Sequence, residues 1–388
     1  MPDGSKPAAI KVFTHIREVP AADWDACAGP DNPFLCHAFL SALEESGSAT
    51  AKTGWLPQHV VVEDAAGTVI GCAPAYLKSH SFGEYVFDHG WADAYERAGG
   101  RYYPKIQVAV PFTPVPGPRL LVRPGCDRNQ VTEILIRALE QLAVERGASS
   151  VHVTFPTRSD CERLCDAGWL QRIGQQYHWE NRGYQSFDAF LADLSSRKRK
   201  AIRKERREVQ ESGIRLKVLT GSEIEPRHWD AFFRFYRNTS DRKWGHPYLT
   251  RRFFDLLGER LADRIALVMA ERDGHPVAGA LNLIGTDTLY GRNWGADEEV
   301  RYLHFEACYY QAIEFAIARG LRRVEAGAQG QHKIQRGYLP VRTYSAHLIR
   351  DPALERAVRE FLEHETRMVE CKIAALAEES PFRKADGE

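Results

Sequence analysis

Between residues 304 and 338 the sequence gathers acids, bases and cations at spacings that suit proton transfer and anion binding. Glu306 stands in His304-Phe305-Glu306, at the opening of an amphipathic segment. A carboxylate there either complements the positive end of a helix or accepts a proton from a reacting group. His304 is a second base or a packing group at the helix start. Lys333 and Arg336 are three apart and share one face of a helical turn. The planar fork of Arg336 suits a phosphate, and Tyr338 carries a hydroxyl that can supply a proton. In the first half of the chain Asp88, Asp93, Tyr95 and Lys105 surround a stretch rich in Tyr, Gly and Pro. Asp93 suits an ammonium, and Lys105 suits a phosphate or carboxylate.

The densest charge is Arg197-Lys198-Arg199-Lys200, continued by Arg203-Lys204 and Arg206-Arg207. Ser195 or Ser196 can cap a helix over 195–212, Gly213 can end it, and Ile202 and Val209 give it a narrow apolar stripe. Like charges four apart weaken a helix, so the density points to a polyanion. tRNA, acyl carrier protein, CoA phosphates and an anionic membrane surface all fit, with Arg199 and Arg203 as phosphate ligands. The bland alternative is a solvated helix offset by Glu205, Glu208 and Glu211. No RNA-recognition word accompanies it. The sequence has no Gly-x-Ser-x-Gly elbow and no Cys–His signature, so direct attack is simpler than a covalent enzyme intermediate.

Composition sets the frame for these groups. A chain of 388 residues exceeds one typical core and predicts two domains. The formal net charge of +0 argues against a surface that clings to DNA along its whole extent. No window approaches the ~20 apolar residues of a membrane span, and Met1–Ile10 has no apolar signal core. The expected address is the cytoplasm, with reduced thiols. Cys161 and Cys165 are four apart without a second pair, so no metal is expected.

The elements that must position the candidates repeat along the chain. Asn32-Pro33-Phe34-Leu35 with Phe39-Leu40 and Leu43 matches His246-Pro247-Tyr248-Leu249 with Phe253-Phe254 and Leu257 at one constant offset. Strands His59–Glu63 and Val69–Lys78 correspond to Arg264–Glu271 and Val277–Ile284, the second pair joined by an Asp273-Gly274 hairpin turn. Helix Val131–Glu145 and strand Val151–Phe155 correspond to His304–Arg319 and Arg323–Ala326. Each half closes with a short helix and a strand: Ser159–Asp166 with Leu170–Trp179, then Lys333–Arg336 with Ser345–Ile349. An insertion over 79–118 distinguishes the first half and predicts loops and edge strands. The domains expected are 10–182 and 183–350, linked near Asn181–Ser186. Residues 351–388 form a closing helix, Pro352–Glu378, and a frayed tail from Ser380.

Hairpin strands followed by helix–strand–helix–strand resemble the GNAT acyltransferase fold. The words Gly327-Ala328-Gln329-Gly330-Gln331-His332-Lys333-Ile334-Gln335-Arg336-Gly337-Tyr338-Leu339-Pro340, Ser79–Asp88 and Tyr102-Tyr103-Pro104-Lys105 look like signatures of the FemAB-like group. The resemblance implies an α/β (α+β) protein of two tandem GNAT-like domains, each a mixed sheet flanked by helices. It implies an acyltransferase moving an acyl or aminoacyl group to an amine acceptor. Glu306 or His304 would take the amine proton, Tyr338 would protonate the leaving group, and Lys333 and Arg336 would neutralise the donor. Asp88, Asp93, Tyr95 and Lys105 would then face the acceptor. No tightly bound cofactor is expected; acyl-CoA, another thioester or aminoacyl-tRNA is the co-substrate. One departure stands out. The loop that holds pyrophosphate in acetyl-CoA enzymes is here Glu298–His304, without glycine and opening on two carboxylates. A catalytically silent protein binding peptidoglycan precursors or acyl carrier protein is the rival expectation.

Overall fold

The computed structural model describes residues 9–243 and 247–383, the side chains of 240–243 excepted. His246 of the repeated word, Met1–Ala8 and residues 384–388 lie outside the described residues. The chain divides into two compact units, Met1–Gly174 with Thr343–Val369, and Gln175–Arg342 with Glu370–Glu388. The boundaries therefore differ from those expected. Each unit takes its last strand from the other half of the sequence: Ser345–Ile349 pairs with Ser150–Thr154, and His178–Glu180 pairs with Arg323–Glu325.

The first unit holds two sheets. One is antiparallel, in the order Ala9–Phe13, His59–Glu63, Val69–Ala73, Leu121–Val122. The other runs Trp55–Pro57, Ala75–Lys78, Lys105–Val108, Ser150–Thr154 and Ser345–Ile349. The single strand expected over Val69–Lys78 is split at Pro74. Proline has no N–H for the ladder, so the chain changes sheets there. The insertion is also not edge structure. It contributes helix His89–Arg97 and the interior strand Lys105–Val108, whose residues are all buried. Helix Arg128–Glu145 starts at Asp127, whose carboxylate accepts from the Asn129 and Gln130 amides. It lays Val131, Leu135, Leu139 and Leu142 against Ile106, Val108, Val151, Val153 and Ala346. Strand alternation sends Lys105, Gln107, Ser150, His152, Ser345 and His347 to the opposite face, where burial continues.

In the second unit the strand order is Ile214–Thr220, Ile265–Arg272, His275–Ile284, Thr288–Ala296, Arg323–Glu325, His178–Glu180. Asp273 and Gly274 both have positive φ (50° and 79°), as the predicted two-residue hairpin turn needs. One face packs helix Pro226–Lys243, close enough that a Cβ on Gly295 would lie 2.2 Å from the Phe235 carbonyl oxygen. The other packs the helical run Leu303–Ala318, where Ala307 meets Val268 and Ala280. The closing helix spans Pro352–Glu378 as expected. The tail does not fray at Ser380. Phe382 bridges Leu194, and the Arg383 amide donates to the Asp193 carbonyl.

Candidate active site

Strands Thr288–Ala296 and Arg323–Glu325 run parallel but pair only from Thr288↔Arg323 to Tyr290↔Glu325. On that side Gly291–Ala296 continue without a strand partner among the described residues, and the two strands diverge. A cavity of about 390 Å³ opens at the divergence, lined among others by Asn282, Asn293, His304, Cys308, Tyr309 and Lys333. That volume suits a small organic group. A π-helical turn at Glu306–Tyr310 interrupts the helix beside it and carries Cys308 and Tyr309 to the cavity wall.

Lys333 is 4% exposed, and its ammonium donates to the Ala326 and Gly327 carbonyls at 2.5 and 3.2 Å. Burial lowers its pKa to about 8. His332 also lines the cavity; its Nε2 lies 3.0 Å from the Tyr309 hydroxyl. Burial and then Arg336 push its pKa down, which favours the neutral imidazole. His304 lines the cavity against Trp294, ring centroids 5.4 Å apart.

The remaining candidates stand behind the wall. The Glu306 carboxylate accepts two hydrogen bonds from Arg206 and one from Gln311 at 2.8 Å. The Gln311 bond is an i,i+5 contact that the π turn allows. Burial raises the Glu306 pKa, against the pull of Arg206. Arg336 is 6% exposed; it donates to Glu205 and the His332 carbonyl and lies over the Phe305 ring at 3.5 Å. The Tyr338 hydroxyl is fully buried and donates to the Tyr309 carbonyl. These three hold the helix and loop together and do not line the cavity.

The basic segment forms helix Ser196–Glu211. Its inward face is Ile202, Glu205, Arg206 and Val209, at helical spacing. Glu205 binds Arg336 and Tyr310, and Arg206 binds Glu306 and Glu314. Arg203 pairs with Asp188, and Arg199 donates to the Ala192 carbonyl. Arg197 and Lys200 are exposed.

In the first unit Lys105 and Asp88 meet, 2.5 Å apart. Lys105 is fully buried and also donates to Glu84 and Ser81 at 2.7 and 2.8 Å. Burial opposes its charge, and Glu84 and Asp88 override that. Tyr102 donates to Asp88, and His152 sits Nδ1 to Nδ1 against His347 at 2.7 Å. Lys78 lies beside Lys105 in register, over the Trp55 ring at 3.6 Å. Burial brings Lys78 down to about 7 and Glu84 up to about 7. Asp93 is exposed on its helix and Tyr95 packs against Gly100, so neither joins this network.

The sequence matches the FemAB-like family, described as peptidoglycan biosynthesis/recognition, over residues 15–384. The chain belongs to that family. This FemAB-like protein is accordingly an acyl- or aminoacyl-transferase. Its fold is similar to FemX (TM-score 0.56, 11% identity, covering 91% of this chain and 100% of that one). It is also similar to the C-terminal domain of a putative lysylphosphatidylglycerol synthetase from Agrobacterium fabrum (TM-score 0.55, 9% identity, 89% and 95% covered). A third likeness is a conserved protein of unknown function from Bacteroides thetaiotaomicron (TM-score 0.52, 14% identity, 88% and 100% covered). No curated protein matches the sequence. Among the described residues no helix is long and apolar enough to cross a membrane.

Several residues of the FemAB-like site escape a sequence reading. His332 and Cys308 carry no spacing signal, because the cavity joins a strand, a helix and a loop. Glu325 is the last paired residue before the divergence. It stands behind the cavity wall at 5% exposure, its Oε2 has no hydrogen-bond partner among the described residues, and burial pushes its pKa up to about 8. Glu205 and Arg206, expected within a solvated or polyanion-binding face, fall between Ile202 and Val209 on the apolar stripe, and that spacing is the signal that marks them as inward.

Proposed function

We propose that this FemAB-like protein is an N-acyltransferase. It moves an acyl or aminoacyl group from an activated donor to an amine of a peptidoglycan precursor by direct attack. The observation that carries this is the cavity at the strand divergence with the Lys333 ammonium in its wall. Lys333 polarises the donor carbonyl, and its lowered pKa lets it hand a proton to the departing thiolate or alkoxide. His332 and His304, the imidazoles of the cavity wall, take the proton of the attacking amine directly or through water. Glu306, Arg336 and Tyr338 position the helix and loop that bear these groups.

Donors are a thioester of CoA or of a carrier protein, with aminoacyl-tRNA as the alternative. Arg197, Arg199, Lys200 and Arg203 offer their phosphates a surface. The loop Glu298–His304 gives no glycine cradle for pyrophosphate, which favours a changed pose for any CoA donor. Such donors are cytoplasmic, and the reaction is assigned there. A second reading, a silent binding protein, draws on that same loop and on the Arg206 pairing of Glu306. Titrating the protein with CoA and acyl-CoAs from acetyl to palmitoyl, then assaying transfer with each donor class, tests both. Transfer lost in Lys333→Met supports the enzyme; tight precursor binding without transfer from any donor supports the second reading.

A further inference from the structure

The insertion segment Ser79–His89 folds with its polarity inverted. Its two carboxylates, Glu84 and Asp88, are buried at 4% and 2% exposure on Lys105. Its rings face outward: Phe82 is 58% exposed and Phe87 57%. An ordinary surface loop would show the charges and hide the rings. The rings are also ordered against imidazoles. His80 lies 5.1 Å from Phe82, Phe82 lies 5.8 Å from His89, and Phe87 stacks on His89 at 6.3 Å and 27°. Tyr85, at φ 61°, sits in the left-handed region that disfavours a side chain, and Gly83 at φ 81° precedes it. The buried charges therefore act as a pedestal for an aromatic surface.

The segment itself turns no carboxylate, Lys or Arg outward, and the guanidinium beside it, Arg172, donates to the Phe87 carbonyl and is neutralised by Glu365. A nucleic acid or an anionic bilayer would require basic residues among the rings. Flat apolar rings flanked by the exposed His89 imidazole instead match a ligand whose faces are C–H and whose rim is hydroxyl and amide. The geometry points to a neutral carbohydrate: Phe82 and Phe87 stack on its sugar rings, and His89 bonds a ring's rim, while His80, which accepts from the Phe82 amide, holds the segment in place. This deepens the proposed function and rests on its reading of the acceptor as a peptidoglycan precursor.

The test is calorimetric titration of the full chain with tri-N-acetylchitotriose, a neutral sugar with no free amine, at two salt concentrations and without donor. Saturable binding is expected, changed less than twofold by salt. Phe82→Ala and Phe87→Ala should each weaken it about five- to tenfold. Met368→Ala, at another exposed apolar side chain (60%), should leave it unchanged. No binding by the wild-type chain, or binding indifferent to both ring substitutions, overturns the assignment. It is also overturned if the ring variants instead lose binding to phosphatidylglycerol vesicles, which would make the surface a membrane contact. A protein that transfers acyl groups yet ignores the sugar keeps the proposed function and loses this inference. One that binds the sugar through its rings yet transfers nothing does the reverse.

Discussion

Arg206 grips Glu306 at two points, Nε to Oε2 at 3.1 Å and Nη2 to Oε1 at 2.9 Å, across 100 residues of sequence. The pair joins the basic helix to the π turn beside the cavity. Both of its carboxylate oxygens accept from Arg206, and on that ground the proposed mechanism gives Glu306 a positioning role. Glu306→Gln is expected to keep kcat within about threefold, where loss of a general base typically costs about 100-fold or more. Arg206→Ala strands a buried carboxylate and should destabilise by about 3–5 kcal/mol in urea unfolding. A kcat collapse in Glu306→Gln at unchanged stability would return the base role to it.

Lys333 should set the alkaline limb of activity. Its pKa is lowered to about 8 by burial, so the charged form that polarises a carbonyl disappears above that pH. The rate should fall as pH rises through about 8. Lys333→Met should lower kcat about 10²- to 10³-fold and remove that limb. Stability moves the opposite way. The unfolded chain holds this proton up to its ordinary value near 10.5, so raising pH from about 8 to 10.5 favours the folded state. Rate–pH profiles and urea midpoints over that window check both signs.

The Lys105 pedestal should fail by stranding its acids. Lys105→Met leaves Asp88 and Glu84 buried without their cation, and a loss of about 3–5 kcal/mol is expected. Glu84→Gln should cost less, because burial already raises that acid to about 7 and it is half-protonated at neutrality. Its raised pKa makes its own contribution greatest below 4.5 and lost as pH rises through about 7. Lys78, lowered to about 7, contributes the opposite trend above that pH. Unfolding midpoints of wild type and Glu84→Gln between pH 4.5 and 7 should differ in slope.

The outer cations of the basic helix should report on the donor. Replacing Arg197, Lys200 and Arg203 by Gln leaves the inward Glu205 and Arg206 in place. Binding of tRNA should weaken, with a shallower salt dependence, if phosphates lie there. Equal binding by this variant at both low and high salt would remove the helix from donor recognition.

The fold was largely readable because hydrophobic periodicity and turn chemistry are local. The Asp273-Gly274 turn and the Pro352–Glu378 helix both follow from residues near in sequence. The strand Lys105–Val108 did not read as interior. Its alternate residues are polar, and alternation ordinarily means one face in water. Only the return of the insertion, with Glu84 and Asp88 brought over Lys105, buries that face.

By itself the sequence determined the element order, the family, the Lys333-bearing loop and the basic helix, since each is carried by contiguous residues. The tertiary structure alone decided which candidates touch the cavity. Glu306, Arg336 and Asp88 are chemically able groups, but partners distant in sequence, Arg206, Glu205 and Lys105, claim them. Ion pairing and burial depend on three-dimensional neighbours, and those same neighbours leave Lys333, His304 and His332 facing the cavity where the strands part.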